Sequence, residues 1–125
     1  MRTQIKATNL SLTPDLESYV LKRATSLEKL IPAEDSSAML AVEVGKTTAH
    51  HKSGAVFRAE FNLHIAHKHL YAVSEKEDLY AAIDEVKDEL MHALRSHKDK
   101  ELSFVRRGGK KLKDFVRGLY PRKNF

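Results

Sequence analysis

The chain contains no cysteine and no tryptophan. The first absence removes thiol nucleophiles, thiolate metal sites and disulfide frameworks together, and it fits a reducing compartment. No run approaches the roughly 20 apolar residues that span a bilayer. Met1-Arg2-Thr3-Gln4-Ile5-Lys6 has no apolar stretch of the signal-peptide kind. A cytoplasmic protein with no membrane partner is expected. GxSxG, GxGxxG and HExxH strings are also missing, and Gly45-Lys46-Thr47 resembles only the last residues of a phosphate loop. Nothing points to a small-molecule substrate, a cofactor or a catalytic residue, so no enzyme activity is expected.

Proline (3) and glycine (5) are scarce, and charge is abundant. At 125 residues the chain is one domain, or one domain with a tail, and a core of that size can stand without staples. The net charge of +5 is unevenly spread. Residues 1–95 carry 12 Lys+Arg against 14 Asp+Glu, a net −2, and residues 96–125 carry 10 against 3, a net +7. Such asymmetry suggests a polyanionic partner, nucleic acid being the commonest.

Periodicity divides residues 1–100 into six elements. Gln4–Thr8 is a short strand. Thr13 suits a helix cap, Pro14 the first helical position and Asp15 the positive end of the dipole. Leu16, Tyr19, Val20, Ala24, Leu27 and Leu30 then share one helical face, and Pro32 closes it. Met39–Val44 is a second strand, and Gly45–Gly54 a polar loop. Phe57, Ala59, Phe61, Leu63 and Ile65 alternate with Arg58, Glu60, Asn62 and His64, as in a sheet with one buried and one wet face. Leu70–Val73 is a fourth strand, making strands two to four an antiparallel meander. Leu79, Ile83, Val86, Leu90 and Leu94 mark a second helix that opens near Asp78 and ends near Lys98–Lys100. The order is β-α-β-β-β-α, an α+β domain with two helices packed on one face of a four-stranded sheet. Residues 101–125 are a basic tail, flexible when alone or helical on a partner.

Seven histidines raise the question of a metal. His50-His51 falls in the loop, and His64, His67 and His69 surround a hairpin. A metal needs three or four ligands converging at about 2 Å, and only His67 and His69 could share one ion. Solvated or base-stacking histidines are the expectation, with no metal. Asp84, Glu85, Asp88 and Glu89 of the second helix form an ordinary polar face, because acid–base chemistry needs a cleft.

The candidate RNA-binding residues are all basic. Lys22, Arg23 and Lys29 lie on or at the edge of the outer side of the first helix, and Arg95, Lys98 and Lys100 near the end of the second. Lys22 and Lys29 are two turns apart, roughly 10 Å, a spacing suited to successive phosphates. Arg106, Arg107, Lys110, Lys111 and Lys113 follow in the tail, where Gly108-Gly109 argues against a stable helix.

Three strings resemble a known family. Asn9-Leu10-Ser11-Leu12-Thr13-Pro14-Asp15-Leu16 with Tyr19-Val20 and Leu27-Glu28-Lys29-Leu30 is similar to the first helix of the ribosome hibernation-promoting factors, or ribosome-associated inhibitors. Asp78-Leu79-Tyr80-Ala81-Ala82-Ile83-Asp84 resembles the opening of their second helix, and His97-Lys98-Asp99-Lys100 its close. The resemblance covers residues 1–100. It implies a fold like that of double-stranded RNA-binding domains. It also implies binding to the small ribosomal subunit, in the mRNA channel across the tRNA sites, with helix cations on rRNA phosphates. Arg23, Lys29, Arg95, Lys98 and Lys100 fall where the family tends to be basic. Ser26, Glu89, His92 and Ser96 stand where relatives often carry Lys or Arg. The rival readings are a general double-stranded RNA-binding module and a protein-interaction modulator of a transcription factor.

Overall fold

A threonine, a proline and two acids start the first helix as the sequence requires. The Thr13 hydroxyl accepts the Leu16 N–H at 3.2 Å, Pro14 takes the first helical position, and Asp15 and Glu17 sit in the first turn. The computed structural model describes residues 1–47, 56–66 and 68–107, the last eleven of these by backbone alone. Its elements are β1 (Arg2–Thr8), α1 (Pro14–Glu28), β2 (Met39–Thr47), β3 (Val56–Ile65), β4 (Lys68–Lys76) and α2 (Leu79–Arg107).

The sheet order is β1-β2-β3-β4. β1 pairs in parallel with β2, from Arg2 opposite Met39 to Thr8 opposite Gly45. β2, β3 and β4 form the expected antiparallel meander. A parallel pair needs a crossover, and α1 supplies it on the same side of the sheet as α2.

One face of the sheet carries the core. Leu40, Val42 and Val44 of β2, Ala59, Phe61 and Leu63 of β3, and Leu70 and Ala72 of β4 are buried there. Against them lie Leu16, Val20, Ala24 and Leu27 of α1, and Leu79, Ala82, Ile83, Val86, Leu90 and Leu94 of α2. The helical periods and the β3 alternation assign the residues of α1, β3 and α2 except Ala82, while the alternation of Leu40, Val42 and Val44 in β2 and of Leu70 and Ala72 in β4 appears only in the structure. The β-α-β-β-β-α order and the placement of both helices on one face follow the sequence reading.

Several boundaries differ from it. The α1 helix ends at Glu28, before Pro32, because the following turn tightens into i→i+3 bonds, Leu30 N–H to Leu27 O and Ile31 N–H to Glu28 O. β1 starts at Arg2 and β4 spans Lys68–Lys76, longer than their apolar cores, because ladder bonds also take in polar residues. β2 continues through Gly45-Lys46-Thr47, so that triplet is strand and not loop. A Cβ at Gly45 would stand 3.1 Å from the Thr8 carbonyl oxygen of the neighbouring strand. That close approach explains the glycine and removes the last trace of a phosphate loop. The largest difference is α2, which runs past Lys100 to Arg107, a 29-residue helix roughly 40 Å long. Its last residue immediately precedes Gly108, and residues 108–125 lie outside the described part. No described helix is long and apolar enough to cross a membrane.

Candidate nucleic-acid interface

The outer surface of the helix layer is organised by a seam between α1 and α2. Tyr19 and Arg23, one turn apart on α1, both reach Asp84 of α2. The Tyr19 hydroxyl donates to Asp84 Oδ2 at 2.7 Å, and Arg23 Nε donates to Oδ1 at 2.8 Å. The Arg23 guanidinium also lies 3.6 Å from the Tyr19 ring centroid, a cation–π contact. Tyr80, a turn before Asp84, meets Tyr19 edge to face at 4.6 Å. Four side chains therefore lock the helices in register.

The electrostatics of this clamp have a defined sign. Burial opposes ionisation of Asp84. The hydrogen bonds from Tyr19 and Arg23, with the charges of Arg23 and Lys87, outweigh it and hold the carboxyl below its ordinary value. Desolvation and the bond to Asp84 push the Tyr19 phenol up. A depressed carboxylate contributes stability above its unfolded pKa and loses it as pH falls through the folded one. Asp84→Asn should therefore lower the thermal midpoint at neutral pH, and the gap to the parent should close in strongly acidic solution. Asp84 is 41% exposed and Arg23 26%, so solvent screening limits the cost to about 1 kcal/mol. Thermal melts of both proteins across pH 2–7, a span set around the usual carboxylate range, would check this; a gap constant with pH would contradict it.

Lys22, Lys29 and Arg95 are exposed, as the sequence reading places them. Arg23 is the exception among the described candidates, since its guanidinium is engaged by Asp84 and Tyr19. The backbone of α2 carries Lys98, Lys100, Arg106 and Arg107 on its last turns. Lys110, Lys111 and Lys113 lie outside the described residues, as do His50, His51 and His67. Sequence reasoning missed Lys87. It sits close enough to Asp84 to favour the ionised carboxylate, and its Nζ donates to Asp88 at 2.6 Å. The signal was its position one turn after Ile83 and Asp84, on the flank of the apolar stripe that turns toward α1.

The first half of α2 presents the opposite sign. Ala81, Asp84, Glu85, Asp88, Glu89 and His92 line an open trough along its outer side. Glu85 accepts a hydrogen bond from Ser74, the one buried polar side chain among the described residues, and pairs with Lys76 at 3.5 Å. The Ser74 bond opposed by burial, with Lys76 adding to it, holds the Glu85 carboxyl below its ordinary range. Charge thus divides along α2, with carboxylates in the first half and Arg95, Lys98 and Lys100 later. No group of three or more His, Asp or Glu among the described residues could hold a metal ion.

A family model described as Sigma 54 modulation protein / S30EA ribosomal protein matches residues 3–101. The chain belongs to that family. It is 30% identical over 100 residues to the ribosome hibernation promoting factor of Klebsiella oxytoca, covering 80% of this chain and 96% of the relative. The Escherichia coli K12 protein of the same name is 31% identical over the same shares. Two solved structures share the fold. The N-terminal domain of Thermus thermophilus Protein Y has a TM-score of 0.59 at 24% identity, covering 77% of this chain and 98% of that one. A ribosomal subunit interface protein from Coxiella burnetii has a TM-score of 0.62 at 18% identity, covering 79% and 99%.

The string that carried the family resemblance turns out to build the fold. Asp78 Oδ1 accepts the Tyr80 N–H at 3.0 Å and opens α2. Leu79, Ala82 and Ile83 enter the core, while Tyr80 and Asp84 complete the seam. In the first string, Asn9 takes a left-handed conformation (φ 62°), which asparagine tolerates, and its amide donates to the Lys46 carbonyl at 3.3 Å. The strings that carry the resemblance are thus largely packing and capping residues.

Proposed function

We propose that this protein is a hibernation-type factor that binds the small ribosomal subunit in its mRNA and tRNA region and holds idle ribosomes out of initiation. The observation that carries this is the exposure of Lys22, Lys29 and Arg95 on the helix layer of a fold belonging to this family. Relatives of similar sequence bear the name ribosome hibernation promoting factor. Phosphates supply most of the affinity of such contacts, and the fold supplies the shape that selects an RNA site.

The charge distribution gives the reading a particular form. The acidic trough on the first half of α2 repels phosphate. The RNA-facing surface is therefore α1 with the later turns of α2, and the basic tail carries it onward. Ser26, Glu89, His92 and Ser96 lack the cations common in the family, and the +7 of residues 96–125 offsets them.

Co-sedimentation with purified small subunits at moderate salt tests the reading. Association that resists excess A-form duplex RNA is the expected result; absence from both subunits and whole ribosomes would sink it. Full competition by duplex would instead favour a general double-stranded RNA binder that recognises shape. Truncation after Arg107 keeps α2 whole and removes six cations and one acid. It should weaken subunit binding about tenfold and make the salt dependence shallower. Unchanged affinity and slope would make the tail a bystander.

A further inference from the structure

The sheet face turned away from the helices has its own order, which strand registers make explicit. Because side chains alternate across a strand, residues opposite one another form rows on one face. Arg2, Met39, His64 and His69 make the first row, and Gln4, Ala41, Asn62 and Tyr71 the second. Lys6, Glu43, Glu60 and Val73 make the third, and Thr8, Gly45, Arg58 and Glu75 the fourth. The third and fourth rows hold three carboxylates against two cations. The first and second hold one cation and no carboxylate. The open face is thus split into an acidic half and an acid-free half.

The acid-free half carries flat rings in a fixed pose. The His64 and His69 rings stack at 4.2 Å between centroids, with planes 7° apart. His69 Nε2 bonds to Asn62 Oδ1 at 3.0 Å, Asn62 Nδ2 reaches Glu60 at 3.5 Å, and Arg58 holds Glu60 at 3.0 Å. A chain of polar contacts from the acidic half therefore sets the orientation of His69, and His64, exposed, lies against it. Arg2, also exposed, stands at the end of the same row, and among the described residues its side chain makes only a weak contact, to the Met39 sulfur at 3.9 Å. Asp35, off the sheet, accepts from Ser37 and from the Ala66 N–H.

We propose that this acid-free half of the open sheet face is a second RNA contact, taking unpaired nucleotides by stacking a base on His64 with Arg2 toward the phosphates. The inference rests on the ribosome-binding reading above and adds a surface opposite the one that reading uses. Imidazole planes accept any base, and a ring already ordered loses little freedom on stacking. A duplex cannot use the site, because its base faces are already stacked. A protein partner is disfavoured by the absence of an apolar anchor: the exposed large hydrophobics among the described residues are Leu12, Leu21 and Tyr80, none of them on this face. Four strands at about 4.8 Å spacing give a platform wide enough for two or three nucleotides.

The probe is octa-adenylate RNA, titrated into the full chain and followed by NMR of the histidine rings and by affinity. His64 ring signals should move upfield. His64→Ala should weaken binding about tenfold without changing the salt slope, and His64→Phe should restore it, since stacking needs a ring and not a charge. Unmoved ring signals, an alanine variant that binds like the parent, or a phenylalanine variant that fails to recover would each overturn the proposal. Small-subunit binding separates the two readings. If Lys22→Ala with Lys29→Ala lowers it and His64→Ala does not, the sheet-face inference fails alone. If the unmodified protein does not bind subunits, the underlying reading fails.

Discussion

Reversing two charges on α1, Lys22→Glu with Lys29→Glu, is expected to reduce small-subunit affinity on the order of a hundredfold or more at moderate salt. Both side chains are exposed, and the elements around them do not depend on them for packing. The fold should survive the change, with an unaltered far-UV spectrum and a thermal midpoint close to the parent. Each lost phosphate contact lowers the salt slope by about one, so the milder pair Lys22→Ala and Lys29→Ala should flatten it by about two. Arg23→Ala should behave differently. Its guanidinium is spent on Asp84 and Tyr19, so its removal loosens the helix seam and lowers stability while changing the salt slope little. Equal slopes for parent and double alanine variant, measured by subunit binding at several salt concentrations, would move the interface off α1.

Phe61→Ala is expected to cost about 3–5 kcal/mol of folding stability. Phe61 comes first by size among the fully buried side chains and sits at 0% exposure in the middle of β3. It opposes Val42 on β2 and Ala72 on β4, beneath α2. Truncation would leave a cavity where α2 meets the sheet. A domain of this size typically has only 5–15 kcal/mol in hand, so a substantial fraction would be lost. Arg58→Ala, three residues earlier on the same strand but on the open face, removes a part-buried ion pair to Glu60 and a more exposed one to Glu75 and should cost about 1 kcal/mol. Urea denaturation of both variants measures the contrast; similar midpoints would mean that the core is not centred on Phe61.

The core was legible because burial is periodic. The alternation in β3 and the four-residue rhythm of α2 named nearly every buried residue of those two elements, since an amphipathic element can hide only one stripe. Element ends were less legible. Polar residues at Arg2, Lys46 and Lys76 continue strands through backbone pairing, which leaves no mark in side-chain chemistry. The continuation of α2 to Arg107 was hidden for a related reason. A charged stretch reads as tail until its backbone is seen in helical register.

The candidate interface divides in the same way. By itself the sequence determined the two-layer fold and the basic tail, because these rest on local rules: hydrophobic period, capping residues and summed charge; the family came from the resemblance of three strings. Only the tertiary structure decided which cations are available. It removed Arg23 into the seam, added Lys87 beside Asp84, and set the acid-free rows of the open face apart from the acidic ones. Each of those outcomes depends on residues that meet across elements, Tyr19 and Asp84 at a separation of 65 residues and Arg2 in line with His64 across three strands. Hydrogen bonds and ring stacking need contact within a few ångströms, so the pairing of distant segments, and not the order of residues along the chain, settles how each side chain is used.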